Sequence, residues 1–255
     1  MLELQTVTAG YGTHTVFSDL SLSLPDGKLT VIVGPNGCGK STLFKTIVGI
    51  CSMISGAIYL AGQPLSRLSS RQIAQQIAYL PQNRPIPDST VTQLVLHGRF
   101  PHLAYPHRYR KEDRAIAYRA MEELGIANLA DTPVSVLSGG IRQNVYLAMA
   151  LTQDTPMILM DEPTTFLDAA HQLQTLTRIR TLVKQGKTVA VVLHDLSAAL
   201  RIADVLVVMD KGHIAASGTP QAVFDSGILD RVFGISLKAV DTADGRQYYY
   251  TERSL

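Results

Sequence analysis

The stretch Gly34-Pro35-Asn36-Gly37-Cys38-Gly39-Lys40-Ser41-Thr42 limits what this chain can fold into more than any other. It fits the spacing G-x-x-x-x-G-K-[ST], and its flanks supply the context that this pattern needs. Before it, Leu29-Thr30-Val31-Ile32-Val33 is an apolar, β-branched run bounded by Asp26-Gly27, which predicts a buried strand. After it, Ser41 to Gly49 carries Leu43, Ile47 and Val48 at helical spacing. In a strand, glycine loop and helix, the glycines let successive backbone N–H groups turn inward as an anion nest. The helix N-terminus adds its dipole to the same spot. The expected ligand is the phosphate chain of a nucleoside triphosphate. Lys40 would reach its β- and γ-phosphates, the Ser41 hydroxyl would hold Mg²⁺ and Thr42 would add a phosphate hydrogen bond. A glycine turn with a solvated lysine, the plain alternative, leaves the flanks unexplained.

Carboxylates follow at a matching place. Pro156 to Met160 is an apolar run after a break and predicts a second buried strand. Asp161 and Glu162 fall at its C-terminal end, where open α/β sheets put their ligands. Two acids in a buried position are costly unless a metal and a phosphate are near. Asp161 is expected to hold Mg²⁺, directly or through water, and Glu162 to polarise the attacking water. His194 follows a third such run, Thr188 to Leu193, and precedes Asp195, which suggests a γ-phosphate contact. Gln82 ends Ile77-Ala78-Tyr79-Leu80-Pro81 and is placed to orient water or Mg²⁺.

About a hundred residues beyond the first glycine loop stands Leu137-Ser138-Gly139-Gly140. With this segment and the carboxylates in their order, the chain resembles the nucleotide-binding subunits of ATP-binding cassette (ABC) transporters over nearly its whole length. In that resemblance, Tyr11 matches the aromatic that stacks on adenine and Gly34 to Thr42 the Walker A loop. Gln82 matches the Q-loop, Leu137 to Gly140 the family signature, Asp161 and Glu162 Walker B, Asp168 the D-loop and His194 the switch histidine. The resemblance implies an α/β fold. It has a P-loop NTPase (RecA-like) core with a mixed sheet, an antiparallel β subdomain and an inserted α-helical subdomain. It also implies ATP and Mg²⁺ as cofactors and a head-to-tail homodimer, each ATP lying between one subunit's Walker A loop and the other's Ser138, Gly139 and Gly140. Those residues open a helix running to about Thr152, so that its N-terminus would face the partner's γ-phosphate. Integral membrane permease subunits, and indirectly a substrate-binding protein, are the implied partners. The implied location is peripheral, on the cytoplasmic face of the (inner) membrane.

Within the family, the chain is most similar to importers of the iron-siderophore, haem or cobalamin type. The phrases that carry this likeness are Arg71-Gln72-Ile73-Ala74, Ile77 to Gln82, His97-Gly98-Arg99-Phe100-Pro101-His102, and Thr164-Thr165-Phe166-Leu167-Asp168 with His171-Gln172. Another ABC importer or exporter, and a soluble non-transport relative, stay open as alternatives. Two positions depart from the family pattern. Ile141 stands where Gln or Glu is usual, and Asn144 where Arg is common. Losing the polar contact at Ile141 would cost on the order of 1 kcal/mol, giving a weakened signature.

The composition agrees with this reading. The 255 residues are 46% hydrophobic and 17% charged, enough to bury a large sheet. A net charge of +2 implies no strong nucleic-acid field. No apolar run approaches the ~18 residues of a membrane span. Met1 to Gln5 lacks the basic and apolar regions of a secretory leader. Cys38 and Cys51 make no disulfide framework, and Cys38 reads as a small filler of the loop. Both features suggest a reducing, cytosolic setting.

The expected organisation is a single domain over 1–255. Residues 1–86, which alternate strand-like runs with glycine turns, join 153–235 in the core and β subdomain. A helical subdomain covers 87–152, and a small C-terminal extension, read as a hairpin, covers 236–255. Residues 97–114 carry Arg99, Arg108, Arg110, Lys111 and Arg114 against Glu112 and Asp113, a local charge of +3. His97, His102 and His107 fall in the same stretch, at a spacing that fits no compact metal pattern. The segment is expected to help dock the membrane partner.

Overall fold

The computed structural model describes residues 1–165, 167–243 and 245–252. Phe166, and residues 253–255 of the expected C-terminal extension, lie outside them. In chain order the elements are β1 (Leu2–Tyr11), β2 (His14–Leu24), β3 (Leu29–Val33), α1 (Lys40–Ile47), β4 (Met53–Leu60), β5 (Gln63–Pro64), α2 (Ser70–Ala74), β6 (Ile77–Leu80), α3 (Val91–Leu96), α4 (Lys111–Glu123) and α5 (Gly139–Thr152). They continue with β7 (Met157–Asp161), α6 (Ala169–Lys184), β8 (Thr188–Val192), α7 (Leu196–Ile202), β9 (Val205–Asp210), β10 (His213–Gly218), α8 (Pro220–Asp225), α9 (Ile228–Phe233), β11 (Ile235–Thr242) and β12 (Gly245–Glu252). Residues 1–67 with 179–255 form one compact unit, and residues 68–178 form a second. The fold is α/β.

In the first unit, β1 pairs antiparallel with β2 and β4, and β4 with β5. A bulge breaks the β1–β4 register between Gln5 and Thr8. Gly56 lies opposite with φ +92, where a Cβ would stand 2.4 Å from the Thr6 carbonyl oxygen, so only glycine fits the bulge. The other sheet of this unit is mixed. β3 runs parallel to both β8 and β9, and β9 turns at Lys211-Gly212 into antiparallel β10. Every residue of β3 and β8 is buried. Parallel strands covered on both faces have no solvent side to mark with polar residues, which is why they read as unbroken apolar runs. Each Val or Ile in them contributes about 1.5–3 kcal/mol by burial. The hairpin of β11 and β12 lies against α7, where the Ser197 hydroxyl donates to the Tyr248 carbonyl at 2.8 Å.

In the second unit, β6 and β7 pair in parallel, Ile77 opposite Met157 and Leu80 opposite Met160. Helix α5 packs on α3 and α4, and its Val145, Leu147 and Ala148 are buried. The segment between α3 and α4 is held from inside. Arg99, 9% exposed, pairs with Asp113 at 2.9 Å and donates to the Thr152 carbonyl. Burial raises the Asp113 pKa, but the Arg110 backbone N–H and the Arg99 guanidinium outweigh it, so the carboxyl sits below its ordinary range. Of the cations in 97–114, Arg99 is thus structural. His102 reaches the Gln153 carbonyl, and the His107 ring lies against Phe100 and Tyr105. No helix among the described residues is long and apolar enough to cross a membrane.

Candidate functional site

The glycine loop between β3 and α1 is built by close approach. A Cβ on Gly34 would lie 2.3 Å from the Met209 carbonyl oxygen of β9 and 2.7 Å from the Cys38 sulfur. Gly37 and Gly39 have φ of +80 and +103, the left-handed region that side chains avoid. The Cys38 N–H donates to the Pro35 carbonyl and closes the turn. Burial pushes the Cys38 thiol up while Lys40 pulls it down, and the net is upward, so a neutral thiol fills the loop interior. Lys40 is only 5% exposed. Its Nζ donates to the Gly34 carbonyl at 2.7 Å and to the Pro35 carbonyl at 2.9 Å. Those oxygens fix the ammonium in place without cancelling its charge.

At the start of α1, Gly39 occupies the cap position and no side chain caps the helix. The first intrahelical bond runs from Leu43 N–H to the Gly39 carbonyl. The amides of Lys40, Ser41 and Thr42 precede it, so the first turn presents open donors beside a buried cation. Pro35 and Ser41 are half-buried, and Asn36 is exposed at the loop tip. Tyr11 ends β1 and is 49% exposed, available to stack on a planar ring. His194 is exposed just beyond β8. Its neighbour Asp195 accepts from the Ser197 and Ala198 backbone N–H groups and caps α7, so its role is structural.

In the second unit, Asp161 closes β7 at 1% exposure and Glu162 follows at 8%. Glu162 holds φ +51, a conformation kept only where surrounding bonds enforce it. Those bonds are present. Gln82 Nε2 and the Thr165 hydroxyl, at 3.2 Å, both donate to Glu162 Oε2. The Tyr79 hydroxyl donates to Asp161 Oδ2 at 3.4 Å. Gln82 and Glu162, inferred separately from sequence, are thus brought together. Tyr79 and Thr165 stand in the sequence phrases that carry the family likeness, but no role follows for them from sequence. The signal for Tyr79 was a hydroxyl-bearing ring in an otherwise apolar strand.

Helix α5 begins at Gly139 with Ser138 as its cap, the hydroxyl accepting from Ile141 N–H at 3.4 Å. A Cβ on Gly139 would meet nothing within 4 Å, whereas one on Gly140 would lie 2.5 Å from the His171 ring. That ring is held by Asp168. Its Nδ1 lies 2.8 Å from Asp168 Oδ1, which also accepts the His171 backbone N–H. These bonds hold the Asp168 carboxyl below the usual carboxylate range. Asn144 accepts from Arg178 of α6, so a guanidinium comes to the position where an arginine is usual.

The donors suit a hard cation with triphosphate oxygens. Mg²⁺ takes hydroxyl and carboxylate oxygen and needs only one or two carboxylates besides the phosphates. The Ser41 hydroxyl, the Gln82 amide oxygen and the Asp161 carboxylate are of that kind.

Comparison with known proteins gives the same direction. Residues 17–165 match the family model described as ABC transporter. The chain is 44% identical over 241 residues to the iron(3+)-hydroxamate import ATP-binding protein FhuC of Bacillus subtilis, covering 94% of this chain and 90% of that one. It is 41% identical over 239 residues to the ferric enterobactin transport ATP-binding protein FepC of Escherichia coli, covering 93% and 88%. Among solved structures, a metal-chelate type ABC transporter in an inward-facing conformation superposes with a TM-score of 0.86 at 26% identity, covering 99% of this chain and 97% of that one. The chain belongs to the ABC transporter family, as one of its ATP-binding subunits.

Proposed function

We propose that this chain is the ATP-hydrolysing subunit of a membrane importer that takes up an iron-siderophore or a related metal chelate (an iron complex, haem or cobalamin). The observation that carries the ATPase reading is Lys40, a buried ammonium whose recorded partners are uncharged, set at an uncapped helix N-terminus. Such a site suits an anion. The import reading is supported by the relatives, which are named for uptake of iron(3+)-hydroxamate and ferric enterobactin.

In this reading, Gly34, Pro35, Asn36, Gly37, Cys38, Gly39, Lys40, Ser41 and Thr42 bind the triphosphate, and Tyr11 stacks on adenine. Ser41, Gln82 and Asp161 hold Mg²⁺, which when bound neutralises charge on the phosphates. Glu162, oriented by Gln82 and Thr165, accepts the proton of the attacking water, and His194 donates to the γ-phosphate. Ser138, Gly139, Gly140 and Asp168 act on the nucleotide of a second copy in a head-to-tail homodimer. Permease subunits anchor the pair at the cytoplasmic face of the membrane, and an external substrate-binding protein supplies the chelate to them. The core and β subdomain over 1–86 and 153–235, the helical subdomain over 87–152 and the extension over 236–255 would divide this work. The basic segment with Arg108 and Arg110 contacts the permease.

A tagged Glu162→Gln chain, purified with ATP and Mg²⁺ from detergent-solubilised membranes of its host, tests this. A polytopic membrane protein, identified by mass spectrometry, should copurify, and Arg108→Glu with Arg110→Glu should weaken its recovery. Recovery of the chain alone, or with ribosomes or DNA, contradicts the import reading and leaves the ATPase reading standing.

A further inference from the structure

His171, in the first turn of α6, touches two elements of the second unit at once, and no function has been given to it. On one side is Asp168. Its carboxylate accepts the His171 backbone N–H at 2.9 Å, and the ring Nδ1 lies 2.8 Å from Oδ1 and 2.9 Å from Oδ2. The backbone N–H first, and the ring second, lower the Asp168 pKa, so the carboxyl is an ionised group that only accepts. Nδ1 therefore carries the ring proton and donates, which fixes the tautomer and the plane of the imidazole.

On the other side is Gly140, the second residue of α5. A Cβ placed there would stand 2.5 Å from Cδ2, 2.7 Å from Nε2 and 3.0 Å from Cγ of the ring. The ring edge thus fills the space that a side chain would need. Gly140 lies in helical backbone, where alanine is favoured over glycine by about 1 kcal/mol. Its conformation therefore does not demand glycine. The three atoms nearest to that Cβ all belong to His171.

Asp168 and the Ser138-Gly139-Gly140 end of α5 are what the head-to-tail reading offers to a second copy. Both must fit one partner, so their spacing has to be held. We propose that His171 is a positioning residue whose imidazole ties Asp168 to the start of α5, so that the two meet the second copy as one preformed surface. The proposal deepens the reading of a nucleotide-closed dimer and rests on it. Without the tie, closure must order the two elements separately, which weakens ATP-driven association but not ATP binding by the single subunit.

The test uses chains carrying Glu162→Gln and reads, by analytical ultracentrifugation, the ATP concentration that gives half-maximal dimer. Adding His171→Ala should raise it about fivefold, since a symmetric dimer carries the loss twice. At protein concentrations too low for dimers, its affinity for a fluorescent ATP analogue should match the parent's, which also shows that the variant folds. His171→Asn keeps an N–H where Nδ1 stands and should restore closure. His171→Phe keeps a ring over Gly140 without the donor and should fail as alanine does; a role in packing alone predicts the opposite order. Closure by His171→Ala at the parent's ATP concentration, or by His171→Phe as readily as by His171→Asn, overturns the proposal. A Glu162→Gln parent that binds ATP yet never dimerises would strike the dimer reading itself, and the proposal with it.

Discussion

Glycine stands at the start of both α1, as its cap Gly39, and α5, as its first residue Gly139, yet the two helices present different ends. At α1 the cap is Gly39, and no side chain occupies the first-turn amides. At α5 the cap is Ser138, whose hydroxyl already accepts the Ile141 N–H, though at 3.4 Å the bond is long. The glycines differ as well. Gly34 and Gly39 are demanded by this chain's own backbone, through the Met209 carbonyl and a φ of +103. Gly139 has open space where its side chain would be. The α1 end has uncapped first-turn amides beside the buried Lys40. The open space at Gly139 is what the proposed head-to-tail pairing would use, with a second copy supplying the nucleotide.

That contrast can be broken in order of effect. Lys40→Ala removes a buried charge-assisted contact and should weaken ATP binding roughly 100-fold, measured by titration with a fluorescent ATP analogue. Comparable affinity in the variant would place the nucleotide elsewhere. The glycines come next. Gly34→Ala forces overpacking worth about 1–3 kcal/mol and should lower the melting temperature by about 5 °C. Gly139→Ala should not lower it, since alanine is favoured over glycine in a helix by about 1 kcal/mol. Calorimetry of the two variants sharpens the comparison, and an equal loss in both would erase it. The smallest effect belongs to Ser138→Ala. Its long cap bond puts the cost near the bottom of the usual range, about 0.5 kcal/mol in chemical denaturation. A loss of 2 kcal/mol would mean that the serine serves the fold first.

Much of this architecture was legible in the residues. β3, β7 and β8 are continuous apolar runs because both of their faces are covered. The glycine loop was legible because its backbone geometry excludes nearly every other residue. Short α2 was passed over in a region read as strands and turns, although Ser69 and Gln72 form a capping box at its start. Side-chain partnerships were not legible. Asn144 with Arg178, Tyr79 with Asp161 and Arg84 over Tyr146 join residues far apart in sequence, and no periodicity encodes which of them meet. Asp195 adjoins His194 in sequence, but its carboxylate caps α7.

The most direct test of the account is the mass of the purified Glu162→Gln chain by analytical ultracentrifugation, with and without saturating ATP and Mg²⁺. The account predicts a monomer without nucleotide and a dimer with it, the dimer being lost when Lys40→Ala or Gly139→Ala is added. A chain that binds ATP at saturation and stays monomeric would contradict it.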